Sequence, residues 1–214
     1  MAARPRDAAS LILVRGRGPR TEVLLGRREP RGRFMPNVYV FPGGRVDRQD
    51  ARAPTASELR DGVAARLRET CSPARARALA VAAVRETFEE TGLRFGPLHQ
   101  GALLPNLDRL EYIARAITPS VSPVRYHARF FVARADGAEG ELRGSGELLD
   151  LRFVPLEEAL TLRVIDVTAF VLEHLREILG GSQPKGLPLY HYKSSKGRVR
   201  WDALRSQLDH SLIS

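Results

Sequence analysis

The chain has 214 residues, of which 43% are hydrophobic, and a formal net charge of +9. A chain of this length can bury a sizeable core, and no low-complexity break divides it, so we predict a single domain over residues 1–214. Only three of the 34 basic residues are lysines, and the arginines are dispersed without a long basic run interleaved with aromatic residues. This dispersion argues against nucleic acid as a partner. An arginine-rich composition or an anionic small-molecule partner explains the charge.

The single cysteine and an N-terminal apolar run bear on the cellular location. Cys71 is alone, so no intrachain disulfide can form, which suits a reducing compartment. The apolar run at residues 8–14 is short, is interrupted by Ser10 and is followed by turn residues. This pattern is typical of a strand and not of a signal peptide or a membrane span. We therefore expect a soluble, cytoplasmic protein with no membrane partner.

The N-terminal part of the chain is predicted to be β-structure. Two short apolar runs, residues 9–15 and 21–27, flank the turn sequence at residues 16–19, which predicts a hairpin. Residues 38–41 predict a short strand that leads into Pro42-Gly43-Gly44. The glycines there permit a close approach of the backbone that a side chain would block.

Two helices are predicted next. Thr55 and Glu58 form a capping-box pattern, which predicts a helix from Thr55 to about Glu69. A second helix is predicted to begin after Ser72, whose side chain is a good N-cap, and to end at Gly92, which adopts a left-handed conformation without strain.

The remaining elements alternate between strands and helices. Strands are predicted at residues 98–103, 125–133 and 151–154. A short helix is predicted at residues 155–160, and a longer amphipathic helix at residues 166–179 that ends at a double glycine. Strands mixed with helices at this spacing predict an α+β fold with helices packed on a mixed sheet.

Two further features are less specific. Arg125, His127 and Arg129 form the polar row of one predicted strand, which lines an anionic cleft or is an ordinary solvated face. Residues 182–214 differ in composition and are predicted to be a C-terminal extension, with a weak helix at residues 201–208.

The most informative pattern lies on the helix that ends at Gly92. At about 100° per residue, Glu86, Glu89 and Glu90 fall within one narrow sector of this helix. The opposite side carries Val81, Val84 and Phe88. One face is therefore predicted to pack in the core and the other to carry chemistry.

The three carboxylates point to a divalent cation. Like charges on one helical face repel one another by a few tenths of a kcal/mol per pair, so they cost stability unless a cation neutralises them. Mg²⁺ prefers such oxygen ligands, and the chain lacks a cysteine pair or a His-Glu-x-x-His helix for zinc. Arg85 can orient a neighbouring carboxylate, and the turn at Gly43 can offer a backbone carbonyl. We predict Glu86, Glu89, Glu90 and Gly43 as metal ligands, with a solvated acidic face as the alternative.

The helix sequence resembles the second half of the Nudix box. That box reads Gly, five residues, Glu, seven residues, then Arg-Glu-aliphatic-x-Glu-Glu-x-Gly-aliphatic. Residues 85–93 match the second half, with Thr87 in place of the usual aliphatic residue.

The first half of the box departs from the family pattern. Between Gly44 and Arg85 lie 40 residues, 27 more than the pattern contains, so residues 45–71 are predicted to be an insertion. Asp50 stands at the glutamate spacing, and Asp47 is an equally good substitute for the missing glutamate. The insertion is predicted to be a lid, a dimer contact or a tolerated excursion.

The resemblance implies a fold and a reaction. It implies a Nudix-type α/β/α sandwich that uses Mg²⁺ or Mn²⁺ to hydrolyse a nucleoside diphosphate linked to another moiety. It implies Glu86 and Glu90 as metal ligands, Glu89 as a ligand or general base, and Arg85 as an orienting partner. Glu147, in a later loop, is a candidate additional acid, with a solvated loop acid as the alternative. The family resemblance also implies a homodimer.

Three segments are similar to one branch of the family. They are residues 23–28, 34–36 and 40–44. This branch contains the peroxisomal coenzyme A diphosphatases of animals and also carries a long insertion in its box. The similarity favours coenzyme A or acyl-CoA as the substrate. NADH, ADP-ribose or another nucleotide sugar or dinucleotide stays open, as does a non-catalytic Nudix-fold module that binds a nucleotide or RNA.

Three arginines are predicted to contact the substrate: Arg27, Arg28 and Arg125. A guanidinium suits phosphate recognition because its fork of N–H donors matches the phosphate oxygens. Ordinary surface arginines are the alternative. The last four residues do not form a peroxisomal address, which favours a cytoplasmic location.

Overall fold

The computed structural model describes residues 3–30, 36–182, 184–193, 196–202 and 208. The strands are β1 (Arg6–Arg15), β2 (Glu22–Arg28), β3 (Tyr39–Val40), β4 (Gly43–Arg45), β5 (Leu98–His99), β6 (Ala102–Leu103), β7 (Glu111–Ile117), β8 (Tyr126–Arg134), β9 (Leu148–Pro155), β10 (Leu187–Lys193) and β11 (Lys196–Asp202). The helices are α1 (Asp61–Arg68), α2 (Pro73–Thr91), α3 (Leu156–Ala159) and α4 (Asp166–Leu179). Phe34 and Met35, which belong to one of the compared segments, lie outside the described residues.

The main sheet is mixed and is organised around β1. β8 runs parallel to β1 along most of its length, from Arg6 opposite Tyr126 to Val14 opposite Arg134. The other edge of β1 is shared, because β4 pairs antiparallel with its first half and β2 with its end. The antiparallel pairing of β1 with β2 confirms the predicted hairpin.

Helices cover both faces of this sheet. Alternate side chains of a strand point to opposite faces. Leu11 and Leu13 of β1 accordingly pack in one core cluster with Leu79 of α2, while Ile12 packs in a second cluster with Leu172 of α4. Each fully buried leucine contributes about 1.5–3 kcal/mol relative to an exposed one. The predicted α+β fold is confirmed, and its layers are helix, sheet and helix.

The helix with the carboxylates begins and ends as predicted. The Ser72 side chain accepts a hydrogen bond from the Arg75 backbone N–H at 3.4 Å and caps α2. Gly92 ends the helix with a φ of 73°, a left-handed value that glycine adopts without a Cβ clash. Val81 and Val84 are in the core as predicted, but Phe88 is only partly buried.

The predicted helix at Thr55 is wrong at its start, since α1 begins at Asp61. The two side chains expected to cap it interact with a different part of the chain. Arg77 of α2 donates from Nε to both carboxylate oxygens of Glu58 at 3.0 Å and from Nη2 to Thr55 Oγ1 at 2.8 Å. Thr55 Oγ1 also donates to Glu58 Oε1 at 2.6 Å, so the two side chains contact each other and Arg77, but residues 55–60 are non-helical.

Other predicted elements also differ from the structure. The strand predicted at residues 98–103 is two short strands, β5 and β6, because Gln100 and Gly101 adopt positive φ values of 50° and 82° and form a tight turn. The helix predicted at residues 201–208 is wrong at Trp201 and Asp202, which belong to β11, and residues 203–207 lie outside the described part.

A buried ion pair attaches the segment before α2 to the sheet. Glu111 of β7 is fully buried, accepts a hydrogen bond from Arg60 at 2.6 Å and forms an ion pair with the equally buried Arg66 of α1. Burying a charge is costly unless it is paired, so this arrangement holds α1 on β7.

Among the helices that the structure describes, none is both long enough and apolar enough to cross a lipid bilayer.

Candidate active site

The glycine turn and the carboxylate helix contact each other through Gly44 and Glu86. β4 pairs with β1 and thereby fixes the turn in the sheet beside α2. A Cβ on Gly44 would stand 2.5 Å from both carboxylate oxygens of Glu86, so this position accepts only glycine without displacement. Burial raises the pKa of Glu86, an effect that the charge of Arg85 opposes.

Glu90 is held against the same turn. It is 8% exposed, and its Oε2 accepts a hydrogen bond from the Gly43 backbone N–H at 2.8 Å. Burial raises the pKa of Glu90 to about 7, with further contributions from the charges of Glu86 and Glu147 and an opposing one from the Gly43 N–H. The sequence predicted Gly43 as a source of a carbonyl ligand, whereas the contact seen here uses its amide.

Arg85 organises the outer side of the helix. Its Nε and Nη2 donate to the two oxygens of Asp50 at 2.9 and 3.1 Å, and its Nη1 lies 3.0 Å from an oxygen of both Glu86 and Glu89. The pKa of Arg85 is raised because these ion pairs, chiefly that with Asp50, outweigh its burial. The Asp47 side chain is half exposed, and its Oδ2 lies 4.0 Å from Arg85 Nη2. Asp50 is therefore the acid that pairs with Arg85, and which of Asp50 and Asp47 substitutes for the missing glutamate of the box stays a prediction.

The three glutamates separate into two groups. Glu86 and Glu90 lie at the glycine turn, while Glu89 is largely exposed and is held by Arg85. Across the described ranges, no three His, Cys, Asp or Glu side chains form a group arranged to hold a metal ion. The donor set that fits a hard cation best is the adjacent carboxylate pair of Glu86 and Glu90, and Glu89 would have to exchange its contact with Arg85 to join it.

Glu147 lies in a loop that runs along the end of the helix. The Ser145 N–H donates to the Glu90 carbonyl at 3.3 Å, and the Arg143 N–H donates to the Thr91 carbonyl at 2.9 Å. These contacts hold the loop near the site, and the charge of Glu147 acts on the pKa of Glu90. Its role as an additional acid stays a prediction.

A cavity of about 650 Å³ opens beside the glycine turn, and we call it the glycine-turn cavity. Gly43, Gly44 and Arg45 form part of its wall. Four aromatic rings and a second arginine also line it: Phe41, Tyr126, Phe130, Tyr192 and Arg28. A cavity of this size with an apolar wall and a few charged groups is typical of a small-molecule site.

The predicted substrate arginines differ in their positions. Arg28 lines the cavity. Burial lowers the pKa of Arg28, although the negative charge of Glu90 acts to raise it. Arg27 donates to Asn37 Oδ1 at 2.8 Å and lies outside the lining. Arg125 also lies outside it and donates to backbone carbonyls, one of them Thr118 at 3.2 Å. Substrate binding by these side chains stays a prediction.

The polar row at β8, which consists of Arg125, His127 and Arg129, does not line this cavity. The prediction that this row lines an anionic cleft is therefore wrong for this cavity. Arg129 is fully buried and donates to Asp7 at 2.8 Å, and burial lowers the pKa of His127 to about 3. The solvated-face alternative is also wrong for Arg129. The opposite row, with Tyr126 and Phe130, lines the cavity instead, because β8 places it on the face beside Phe41.

Sequence reasoning missed one cavity residue of β10. Tyr192 of β10 lines the cavity and donates from its hydroxyl to Asp166 Oδ1 at 2.5 Å. Tyr190 and Tyr192 share one face of β10 at a spacing of two, and this aromatic pair was the available signal.

Comparisons with known proteins relate part of the chain to one family. Residues 74–173 match the family model described as NUDIX domain. A Caenorhabditis elegans protein named "Putative nudix hydrolase 7" is 39% identical over 88 residues, which are 41% of this chain. The matched region spans only 22% of the length of that curated relative.

Solved structures share the fold. A NUDIX hydrolase from Alicyclobacillus acidocaldarius superimposes with a TM-score of 0.60 and 29% identity, covering 81% of this chain and 91% of that one. The NUDIX domain of Shewanella oneidensis NrtR, solved in complex with ADP ribose, gives a TM-score of 0.53 at 16% identity, covering 83% of this chain and 90% of that one. At that identity the second likeness concerns the fold alone.

Proposed function

We propose that this chain, which contains a Nudix domain, is a metal-dependent hydrolase that cleaves the diphosphate bond of a nucleoside diphosphate derivative. The observation that carries the proposal is the pair of adjacent carboxylates, Glu86 and Glu90, packed against the Gly43-Gly44 turn beside a cavity with arginine and aromatic groups. A protein that only binds a nucleotide or RNA has no need of these costly carboxylates, so the proposal favours an enzyme.

Glu86 and Glu90 would hold Mg²⁺ or Mn²⁺. When bound, the metal would offset the charge of the diphosphate and lower the pKa of a bound water. Arg85 holds Glu86 and Glu89 at 3.0 Å, so it fixes their positions relative to the site. Glu89 is exposed enough to accept a proton from water, and we assign it the role of base or of an additional ligand.

The glycine-turn cavity is proposed to hold the nucleoside. Aromatic rings stack on nucleobases, and this stacking contributes about 1–3 kcal/mol per base. Arg28 and Arg45 line the same cavity and can contact phosphate through their N–H donors. The favoured substrate is coenzyme A or acyl-CoA, supported by the sequence similarity of residues 23–28 and 40–44 to one Nudix branch.

The experiment that tests the reaction is a panel of diphosphates incubated with Mg²⁺ or Mn²⁺. The panel holds coenzyme A, an acyl-CoA, NADH, ADP-ribose and a nucleotide sugar, with products separated by chromatography. For coenzyme A, the expected products are 4′-phosphopantetheine and adenosine 3′,5′-bisphosphate. Absence of metal-dependent turnover of every member would contradict the proposal and favour a binding module.

A substitution tests the carboxylate pair. Glu90→Gln keeps the size of the side chain and removes a charged ligand, so we expect turnover to fall by about a hundredfold or more. Glu173→Gln is the matched control, because Glu173 is exposed on α4 and lies outside the lining of the glycine-turn cavity. Thermal unfolding of both variants checks that the fold is intact. Near-normal activity of Glu90→Gln would contradict the proposed ligand role.

The wider organisation is part of the same proposal. We treat residues 1–214 as a single Nudix domain with an insertion at residues 45–71 and a C-terminal extension at residues 182–214. A cytoplasmic homodimer is proposed from the family resemblance. Elution at the mass of a monomer in size-exclusion chromatography would contradict the dimer.

A further inference from the structure

A second cavity of about 650 Å³ lies on the other side of the carboxylate helix. Its walls are residues 48–53, one face of α2 and the segment after β6, so we call it the insertion-side cavity. The α2 residues in its wall are Val81, Arg85, Phe88 and Glu89, which lie one turn apart along one face of the helix. The partial exposure of Phe88, unexpected for a core residue, is explained by this cavity.

The cavity is apolar at its base, and its rim carries two arginines together with the exposed carboxylate of Glu89, which Arg85 holds. Val81 and Pro105 are buried, and Leu103 is partly buried. Arg48 and Arg52 are exposed at the opposite wall, and neither guanidinium forms an ion pair within the described residues. Two unpaired guanidiniums above an apolar surface suit a ligand that combines an apolar segment with phosphate or amide oxygens.

The two cavities adjoin at the carboxylates. Arg85, in the wall of the insertion-side cavity, donates from Nη2 at 3.0 Å to the carbonyl of Arg45, which lines the glycine-turn cavity. Glu86 lies between them, in contact with Arg85 on one side and against Gly44 on the other. A molecule with a group in each cavity would therefore place its linking portion beside Glu86.

We propose that the insertion-side cavity binds the second moiety of the substrate, the group joined to the nucleoside through the diphosphate. This inference rests on the proposed function, which requires a diphosphate with a different group on each side. The nucleoside occupies the glycine-turn cavity, which has the aromatic rings, and the diphosphate lies beside Glu86. The second moiety carries oxygen acceptors that Arg48 and Arg52 contact and an apolar segment that packs on Val81 and Phe88.

The proposal gives residues 48–53 a role in specificity. Asp50 of this segment holds Arg85 in the wall, while Arg48 and Arg52 on either side of it face the ligand. The segment thus supplies the two arginines of the rim and holds Arg85 of α2 in the wall, while the apolar base comes from Val81, Leu103 and Pro105. A chain with a short connection between Gly44 and α2 would lack this wall.

The test uses the two halves of coenzyme A as separate inhibitors. In the Arg48→Ala/Arg52→Ala variant, the inhibition constant of 4′-phosphopantetheine should rise about tenfold, as expected for the loss of charged hydrogen bonds, while that of adenosine 3′,5′-bisphosphate stays within about twofold. Arg17→Ala/Arg20→Ala is the matched control, since both arginines are exposed in the hairpin turn and the change in net charge is the same. It should leave both constants unchanged.

The outcomes separate this inference from the proposed function. If the enzyme hydrolyses a diphosphate but both inhibition constants change equally, or neither changes, the second subsite is refuted. If no diphosphate is hydrolysed, the proposed function fails. Calorimetric titration of the same two probes into wild type and variant then decides the subsite, and equal binding of 4′-phosphopantetheine to both proteins refutes it.

Discussion

Replacement of Asp50 by asparagine tests whether this buried carboxylate holds Arg85 in the site. Asp50 is 1% exposed, and it accepts two hydrogen bonds from Arg85 and one from the Asp47 backbone N–H at 2.7 Å. Asparagine keeps the shape and one acceptor oxygen but removes the charge. The substitution therefore leaves the local backbone contact and removes the charged pair.

The magnitude follows from the contacts that remain. Removing one partner of a buried ion pair costs about 3–5 kcal/mol. Arg85 keeps Glu86, Glu89 and the Arg45 carbonyl, and its own side chain is 18% exposed, so the lower end applies. We expect the free energy of unfolding to fall by about 3 kcal/mol. For a chain of this length, this corresponds to a decrease of about 6–12 °C in Tm.

Urea denaturation followed by circular dichroism measures this loss, and an unchanged m-value would show that the unfolded state is unaffected. Asp47→Asn is the matched control, because it removes the same charge three residues away from a side chain that is 51% exposed and 4.0 Å from Arg85. That variant should change stability by less than about 0.5 kcal/mol. Equal destabilisation by the two substitutions, or a loss below about 1 kcal/mol for Asp50→Asn, would refute the assignment of Asp50 as the partner of Arg85.

Two further predictions concern the glycine turn and the sheet beneath it. Gly44→Ala should lower kcat by at least about tenfold, since the added Cβ displaces the Glu86 carboxylate. Gly137→Ala is the control, because a Cβ there would stand 3.5 Å from its nearest neighbour, and equal kcat values for the two variants would contradict the close contact. Burial acts to raise the pKa of Asp7, but its hydrogen bond and ion pair with Arg75 lower it overall. Because the pKa of Asp7 is lower in the folded than in the unfolded protein, its ion pair stabilises the fold above the unfolded-state pKa, and this contribution is lost as the pH falls. The free energy of unfolding measured in urea should therefore decrease below about pH 4 more steeply in wild type than in Asp7→Asn. Parallel plots of that free energy against pH for the two proteins would contradict the prediction.

The carboxylate helix was predictable because its signals are local. Ser72, Gly92 and the spacing of Glu86 and Glu90 each depend on the helix itself, and the structure places all of them as expected for a capped amphipathic helix. The division between Glu89 and its neighbours was not predictable, because it is set by Arg85 and the distant Asp50.

The missed elements share a physical cause. β7 contains Glu111 and Arg115, which look like surface charges in the sequence but are buried in ion pairs with α1 and β11. Thr55 and Glu58 contact each other as the cap pattern suggests, but both side chains are also bound by Arg77 of α2, and no helix begins there. In both cases a residue distant in sequence decides the outcome, and a single sequence does not show which distant residue that is.

Asp7 touches both ends of the segment that separates β4 from α2. Its carbonyl accepts from the Val46 N–H at 3.1 Å, and its carboxylate pairs with Arg75 in the first turn of α2. Asp7 therefore links the glycine turn to the start of the helix, in addition to the β1–β4 pairing and the hydrogen bond between Gly43 and Glu90. In engineering terms, the stretch between residues 52 and 59 is a tethered segment and not a free linker, since Ser57 is hydrogen-bonded to the backbone N–H groups of Leu107 and Asp108 and Arg77 binds Glu58. A change in its length would therefore disturb the adjoining wall of the insertion-side cavity at Ala53 and Pro105.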